Sequence, residues 1–401
     1  VEIDLIMLAG RPSLSHLRTR LRSPRHSLHR RLSAPGLNPH IPVQKTFSTY
    51  NSRQNSSDKT AASSDTSWYY RFIEDVELFG RYCVGGYYPV QIGDEFSSSR
   101  YCIVHKLGYG GHSTIWLARD EHLSKYVAIK VGVSNLEPPF ESAILKILRG
   151  DKKGEEQKHA GMAMIPEMLD EFEVEKPEMK GVKGTHHCLV AEVAKMSVAE
   201  AREAGNKRLF WLDVAHAIVT QLVQAIAFMH SRGVVHGGER LRYHHISRLL
   251  LTTCLDLHEA NILFRLPNSI DNTTPDQLYE KYGQPELEPI TRSDGQPLDA
   301  WVLSHGILPI WFGERSYTIP LPNSRIFLID FGESFRPSIF PSESRTPLHL
   351  GAPELLLSPS SPVTFASEIW SLACTIFFVM GQRPLFGSWF PIENVNLEWQ
   401  R

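Results

Sequence analysis

At 401 residues, 42% of them apolar, the chain can bury a large core and has length for two to three domains. Five cysteines, Cys83, Cys102, Cys188, Cys254 and Cys374, are odd in number and never spaced as C-x-x-C, which argues against a disulfide framework or a zinc site and for a reducing compartment. The longest apolar run, around Leu372–Met380, falls far short of the roughly 20 residues a bilayer crossing requires, so the chain reads as soluble.

The net charge of −2 averages two unlike parts. Between Asp4 and Asp58 there is no acidic residue, while eight arginines and Lys45 sit among serines, histidines and prolines. Residues 1–66 therefore read as a disordered basic leader, either a plain tail or, being Arg- and Ser-rich, a mitochondrial transit peptide. Beyond residue 57 the chain carries 33 basic and 42 acidic side chains, a net of −9, and such an acidic body steers basic partners toward itself.

After the leader, the alternation of Tyr101, Ile103 and His105, then Ile115 and Leu117, predicts two strands joined by the glycine-rich turn Gly108–Ser113. Gly108 and Gly110 allow backbone N–H groups to approach phosphate oxygens, with Ser113 at the place of a third glycine. Alone, such a turn fits a plain hairpin better; the strand that follows is what favours phosphate binding. The next strand carries VAIK, Val127–Lys130, whose ammonium suits the α and β phosphates of a nucleotide. Phe140, Ile144, Ile147 and Leu148 recur at helical spacing and predict an amphipathic helix closed by Gly150. Glu141, in its first turn, is the expected carboxylate partner of Lys130; a glutamate serving only the helix dipole is the simpler alternative.

A charged loop over Asp151–Glu175 leads to His187–Ala194, an apolar strand running into a linker. Read as a hinge, it turns backbone groups at Glu192 and Ala194 toward an adenine edge, with the small Ala191 guarding the pocket behind; an ordinary buried strand is the other reading. Trp211, Val214, Ala215, Ile218, Leu222, Ala225 and Met229 then mark one face of a long helix capped by Gly233, which delivers His236.

The chemistry concentrates in DLHEANILF, Asp256–Phe264, and LIDFGES, Leu328–Ser334. An aspartate five positions before an asparagine, an apolar strand, and a later Asp-Phe-Gly form the layout of a phosphoryl-transfer site. Asp256 would orient and deprotonate the attacking hydroxyl, while Asn261 and Asp330 offer the oxygen ligands magnesium prefers. Gly238–Leu255 interrupts this loop between His236 and Asp256, and its His244, His245 and Cys254 fit no zinc spacing. The stretch between Asn261 and Asp330, with its prolines, glycines and charges, reads as an inserted surface loop. Arg336–Pro353 reads as an activation segment and substrate platform bearing Ser342, Ser344 and Thr346.

Together, GGYYPVQIGDEF, GYGGHSTIWLA, THHCLV, the interrupted HG and DLHEAN, IDFGES and SEIWSLACTIFFVMGQRPLF resemble the eukaryotic protein kinases. The likeness runs over Tyr82–Phe390 and is in particular to the serine/arginine-rich-protein kinase family of filamentous fungi. The resemblance implies an α+β, two-lobed kinase fold, with a small antiparallel-sheet lobe over 67–194 and a mainly helical lobe over 195–401. It implies an ATP-dependent, magnesium-requiring serine/threonine protein kinase. Lys130, Glu141 and Asp256 would then be catalytic; Leu107, Gly108, Gly110, Ser113, Ala128, Lys130, Glu192 and Ala194 would surround ATP; Asn261 and Asp330 would hold Mg2+. The partners implied are protein substrates, Arg/Ser-rich ones among them, for a monomer in cytoplasm or nucleus that contacts neither nucleic acid nor membrane directly.

Several positions depart from that pattern. His258 replaces a loop lysine, and Glu368 replaces the aspartate that tethers the catalytic loop's backbone. The chain stops at Arg401, so Trp370, Phe377 and Phe378 are expected to be partly uncovered and Glu354 of GAPE to lack its arginine. Two other readings stand beside the kinase: the joined HGDLHxxN also resembles small-molecule phosphotransferases related to aminoglycoside and choline kinases, and the interruption favours an inactive nucleotide-binding scaffold.

Overall fold

The computed structural model describes residues 69–134, 141–150, 159–179, 182–237, 257–266, 270–337, 350–358 and 361–386. The basic leader, Phe140, the Gly238–Leu255 interruption, Asp256, Ser342, Ser344 and Thr346 lie outside the described residues.

The fold is α+β and two-lobed. In the small lobe, β1 (Glu95–Phe96), β2 (Tyr101–Gly110), β3 (Ser113–Asp120), β4 (Lys125–Gly132), β5 (Met168–Met179) and β6 (Val182–Ala191) form one antiparallel sheet of order β1-β2-β3-β4-β6-β5. Strand periodicity of two sends Val127, Ile129 and Val131 of β4 into a core with Ile103, Trp116 and Val190, while Tyr126, Ala128 and Lys130 face the other way. Against that second face lies α1 (Glu141–Arg149), whose Ile144, Leu145 and Leu148 pack with Leu189. Its last residue is followed by Gly150 at φ +65°, the left-handed position that ends a helix at least cost when occupied by glycine.

The second lobe is organised around α3 (Leu212–Ser231) and α6 (Phe365–Met380), with the short helices α2 (Val198–Glu203) and α5 (Pro353–Leu357); α4 (Pro275–Tyr282) lies on the small-lobe sheet. Beside them, β7 (Ala194–Ser197), β8 (Ile262–Arg265) and β11 (Ile326–Leu328) form a three-stranded sheet of order β11-β8-β7. By length and hydropathy α3 could cross a membrane, but its Val214, Ile218, Leu222, Ala225 and Met229 are buried in the protein core. The helix starts one residue after Trp211 and ends before Gly233 at φ +72°, as its sequence periodicity predicts.

The stretch between β8 and β11 is not a surface loop. It folds into α4 and an antiparallel pair, β9 (Leu287–Pro289) and β10 (His305–Ile307), and wraps the small-lobe sheet. Ile307 joins the core on one face of the sheet, while Leu278, Ile310 and Phe312 pack with Val104, Leu117 and Tyr126 on the other. Ile290 and Leu303 cluster with Tyr70, Val76, Phe79 and Tyr82 of the segment preceding β1. This second covering explains why Ile103, Val104, His105 and Lys106 are all buried in succession, where a sheet with one wet face would alternate. Polar ties match the apolar ones: the Tyr126 amide donates to Asp271 Oδ1 (2.7 Å), Tyr279 Oη to the Val104 carbonyl (2.6 Å), and the Ile310 amide to the Lys106 carbonyl (2.8 Å).

Asp271→Ala strips the acceptor from the amide of buried Tyr126, and an unsatisfied buried donor costs about 1–3 kcal/mol. Urea unfolding is expected to show that loss; an unchanged midpoint would mean that the wrapping segment is not tied to the sheet.

Candidate active site

Three elements converge on one ammonium group. Lys130 projects from β4, and its Nζ lies 2.7 Å from Glu141 Oε2 at the start of α1 and 2.7 Å from Asp330 Oδ1 just beyond β11. Burial works against the charged lysine, but the two carboxylates outweigh it and hold its pKa above the ordinary lysine value. The Lys130 charge in turn holds the Asp330 carboxyl below its usual range, against burial. Glu141 serves a second partner, accepting from the Phe331 amide at 3.0 Å, so that one carboxylate fixes both the lysine and the Asp-Phe-Gly backbone.

Asp330 adopts the left-handed conformation, φ +67° and ψ +61°, which is uncommon outside glycine. The surroundings hold it there: on one side the Ile329 amide donates to the Asn261 carbonyl at 3.0 Å, and on the other Phe331, fully buried, packs edge-on against His236 at 5.3 Å between centroids. Pairing of Ile262 with Leu328 sets Asn261 beside Ile329, which brings the asparagine and the aspartate to the same end of two adjoining strands. An amide and a carboxylate oxygen are the hard donors magnesium takes, with phosphate completing its shell. Among the described residues no cluster of three or more His, Cys, Asp or Glu forms a metal site without such help.

The glycine turn lies across the sheet from this group. Cross-strand register aligns Gly108 with Ile115, Ile115 with Lys130, and Lys130 with Leu189. A methyl group added at Gly108 or Gly110 meets no atom within 4 Å, and neither glycine has positive φ. Packing and backbone conformation therefore leave both glycines unexplained, and open space beside bare backbone fits a polyphosphate. Ser113 is buried at the start of β3. Ala128 pairs with Ala191 across β4 and β6, and Leu107 packs against the same cluster as Val193, between Glu192 and Ala194. The predicted nucleotide-binding positions thus sit around one region between the sheet and the strand-to-linker segment. Glu192 also accepts from the Glu167 amide at 3.1 Å through its side chain.

Asp256 lies outside the described residues, and the described residues nearest to it, His236 and Gly237 before the interruption and Leu257 after it, face α6. Glu368 Oε1 accepts from the His236 amide at 2.5 Å, and Thr375 Oγ1 donates to the Leu257 carbonyl at 2.7 Å. Gly237 and Leu257 line one small pocket together with Glu368 and Ser371. The longer carboxylate at 368 thus reaches the backbone it faces, and its other oxygen meets His230 Nε2 of α3 at 2.5 Å. His230 and Thr375 escape sequence reading because each sits on the face of a helix defined by its apolar residues; His230 is detectable only once the extra length of Glu368 is asked to find a second partner. His258 turns its Nδ1 inward to accept from the Ala260 amide at 3.2 Å. Farther along α6, Phe377 is exposed as expected, whereas Trp370 stacks on Phe386 at 5.7 Å and the Arg202 guanidinium covers Phe378 at 3.7 Å.

A strand-borne lysine paired to a helix glutamate and to the aspartate of an Asp-Phe-Gly turn, set between a small sheet lobe and a helical lobe, defines a protein-kinase-like molecule. No protein-family profile matches the chain. It is similar to a serine/threonine protein kinase of Aspergillus fumigatus, 32% identical over 158 residues, which are 39% of this chain and 38% of the relative. It is also similar to the protein kinase Dsk1 of Schizosaccharomyces pombe, 35% identical over 39% of this chain and 28% of the relative. SRSF protein kinase 3 of Mus musculus is 32% identical over 38% of this chain and 26% of the relative. In each case well under half of the relative's length is matched. A solved kinase domain superposes with a TM-score of 0.47 at 18% identity, covering 75% of this chain and 69% of that one. The chain is thus a sequence relative of serine/threonine protein kinases, an SRSF protein kinase among them.

Glu368→Ala leaves the buried His236 amide without its acceptor, at a cost of about 1–3 kcal/mol. Glu368→Asp keeps the charge but is too short to serve both partners, so its stability in urea unfolding is expected to fall between those of the wild type and the alanine variant. An alanine variant as stable as the wild type would show that α6 does not anchor this segment.

Proposed function

We propose that the protein is an ATP-dependent serine/threonine protein kinase, with residues 67–401 as its kinase domain, acting in cytoplasm or nucleus. The observation that carries the reading is the Lys130 ammonium held at 2.7 Å from both Glu141 and Asp330, opposite a glycine turn with open space beside it. Lys130, kept charged and aimed by Glu141, would bind the α and β phosphates of ATP. Backbone groups of Gly108–Ser113 would line the phosphates, Leu107 and Ala128 would pack on the adenine, and backbone groups of Glu192 and Ala194 would bond its edge. Asn261 and Asp330 would hold magnesium, which supplies neutralisation of the phosphate charge when bound.

Transfer needs a base for the substrate hydroxyl, and Asp256 has the position in sequence for it, five residues before Asn261. The hydroxyl oxygen forms its bond to the γ-phosphorus as the bond to the bridging oxygen of ADP breaks, and the hydroxyl proton passes to the Asp256 carboxylate. Protein substrates rich in Arg and Ser are favoured on two grounds: similarity to an SRSF protein kinase, and the net −9 of the chain beyond residue 57.

Asp256→Asn is expected to lower transfer from ATP to an Arg/Ser peptide by roughly 10²–10⁴-fold, the range a general base supplies, while ATP binding persists. Lys130→Met is expected to weaken binding and transfer together. A peptide-phosphorylation assay run beside an ATP titration separates the two, and wild-type turnover by the Asp256 variant would remove the residue from its role.

A further inference from the structure

The glycine turn is held from outside by a stretch of chain that no phosphate-binding motif includes. Tyr87, ahead of β1 and buried, donates its hydroxyl to the Gly110 carbonyl at 2.8 Å. Its position is set by several constraints. The Tyr87 amide donates to the Arg81 carbonyl at 2.9 Å, and the Ser134 amide to the Gly86 carbonyl at 3.1 Å. A Cβ at Gly86 would lie 1.8 Å from the Arg81 carbonyl oxygen, so only glycine permits this turn. The Tyr87 ring packs edge-on against Tyr82 at 5.6 Å, and the Arg81 guanidinium lies 5.0 Å from its centroid.

The same stretch also grips the strand below the turn. Tyr82 donates its hydroxyl to Glu77 Oε1 at 2.5 Å, and the other Glu77 oxygen pairs with the fully buried Lys106 of β2. Lys106 precedes Leu107 and Gly108, and its ammonium lies 5.4 Å from the ring centroid of Tyr109. Residues 106 and 110 are thus pinned on either side of Gly108, one by an ion pair and one by a hydrogen bond to the carbonyl. Burial pushes the Tyr87 hydroxyl up to about 12, so it remains protonated and a donor at neutral pH.

We propose that Tyr87 is a positioning residue for the nucleotide: by holding the Gly110 carbonyl it fixes the turn at the height where its backbone N–H groups meet phosphate. The inference rests on the kinase reading above. It assigns to the segment around 77–87 a function beyond packing, namely to present a preformed phosphate cradle in place of a loose flap, so that less ordering remains to be done when the ligand binds.

Tyr87→Phe keeps the ring and its packing and removes only the hydroxyl. In the full chain without nucleotide, amide hydrogen exchange over residues 108–113 is expected to rise about fivefold, the effect of losing one ordinary hydrogen bond, with residues 125–132 unchanged as the internal control. Affinity for ATP is expected to fall by about the same factor while affinity for adenosine, which has no phosphates, stays as in the wild type. Unchanged exchange in the turn overturns the proposal whatever the nucleotide results. Equal weakening of ATP and adenosine also overturns it, because a general loss of structure, not phosphate positioning, would then be responsible. Raised exchange in the turn of a chain whose wild type binds neither ligand would leave the hold on Gly110 intact and overturn the kinase reading and the positioning role that depends on it.

Discussion

A lysine side chain drawn between two carboxylates is the contact on which the geometry of this protein turns. Lys130, Glu141 and Asp330 come from a strand of the small lobe, the start of its helix and the turn after a strand of the other lobe. Removing one member of a buried pair costs about 3–5 kcal/mol, because a charge is left without its partner. With a quarter of the Lys130 side chain exposed, the cost here falls toward the lower part of that range. The ion pairs therefore do more to fix position than to add stability. They set α1 against the Asp-Phe-Gly turn, where Glu141 also accepts from the Phe331 amide, and they hold Asp330 in a left-handed conformation the chain would otherwise avoid.

Around that contact, two bodies of structure act as fixed supports. On the helical side α6 collects the flanks of the catalytic stretch through Glu368 and Thr375, while Ser371 Oγ donates to the Leu350 carbonyl at 2.9 Å. One helix thereby holds the backbone at His236, at Leu257 and on the approach to α5. On the sheet side, residues 270–312 and Val90 of the stretch before β1 cover surfaces of β2–β4 that would otherwise be wet. Both supports join residues far apart in sequence, and a Cβ added at Gly108 or Gly110 meets no atom within 4 Å.

Those separations explain what could be read from the sequence. Lys130, Glu141, Asn261 and Asp330 were legible because each sits in a short pattern whose spacing is dictated by a strand, a helix turn or a tight turn. The long helix 212–231 was legible through its apolar period, and the strands through alternation near Ile115 and Leu117. Alternation misled in Ile103–Lys106, where burial is continuous because the second face is covered by a segment some 170 residues later, a fact no local window contains. That segment itself reads as a loop: Ile290, Leu303, Ile307, Ile310 and Phe312 follow neither a helical nor a strand period, and prolines and glycines separate them. Glu368 was legible as a departure but not as a working tether, since its reach depends on His230 and on the path of the backbone at His236. Tyr87 lies within GGYYPVQIGDEF, but nothing in that stretch signals its contact with Gly110 until the hydroxyl is seen beside the carbonyl.

The account stands on Asp330 and Lys130 forming one site for a nucleotide and its metal ion, and the most direct measurement is the magnesium dependence of ATP affinity in the wild type and in Asp330→Asn. Calorimetric titration with ATP, with and without magnesium, is expected to show magnesium tightening the binding to the wild type and making little difference to the variant. An ATP affinity that magnesium raises equally in both proteins would contradict the account, because the metal would then owe nothing to Asp330.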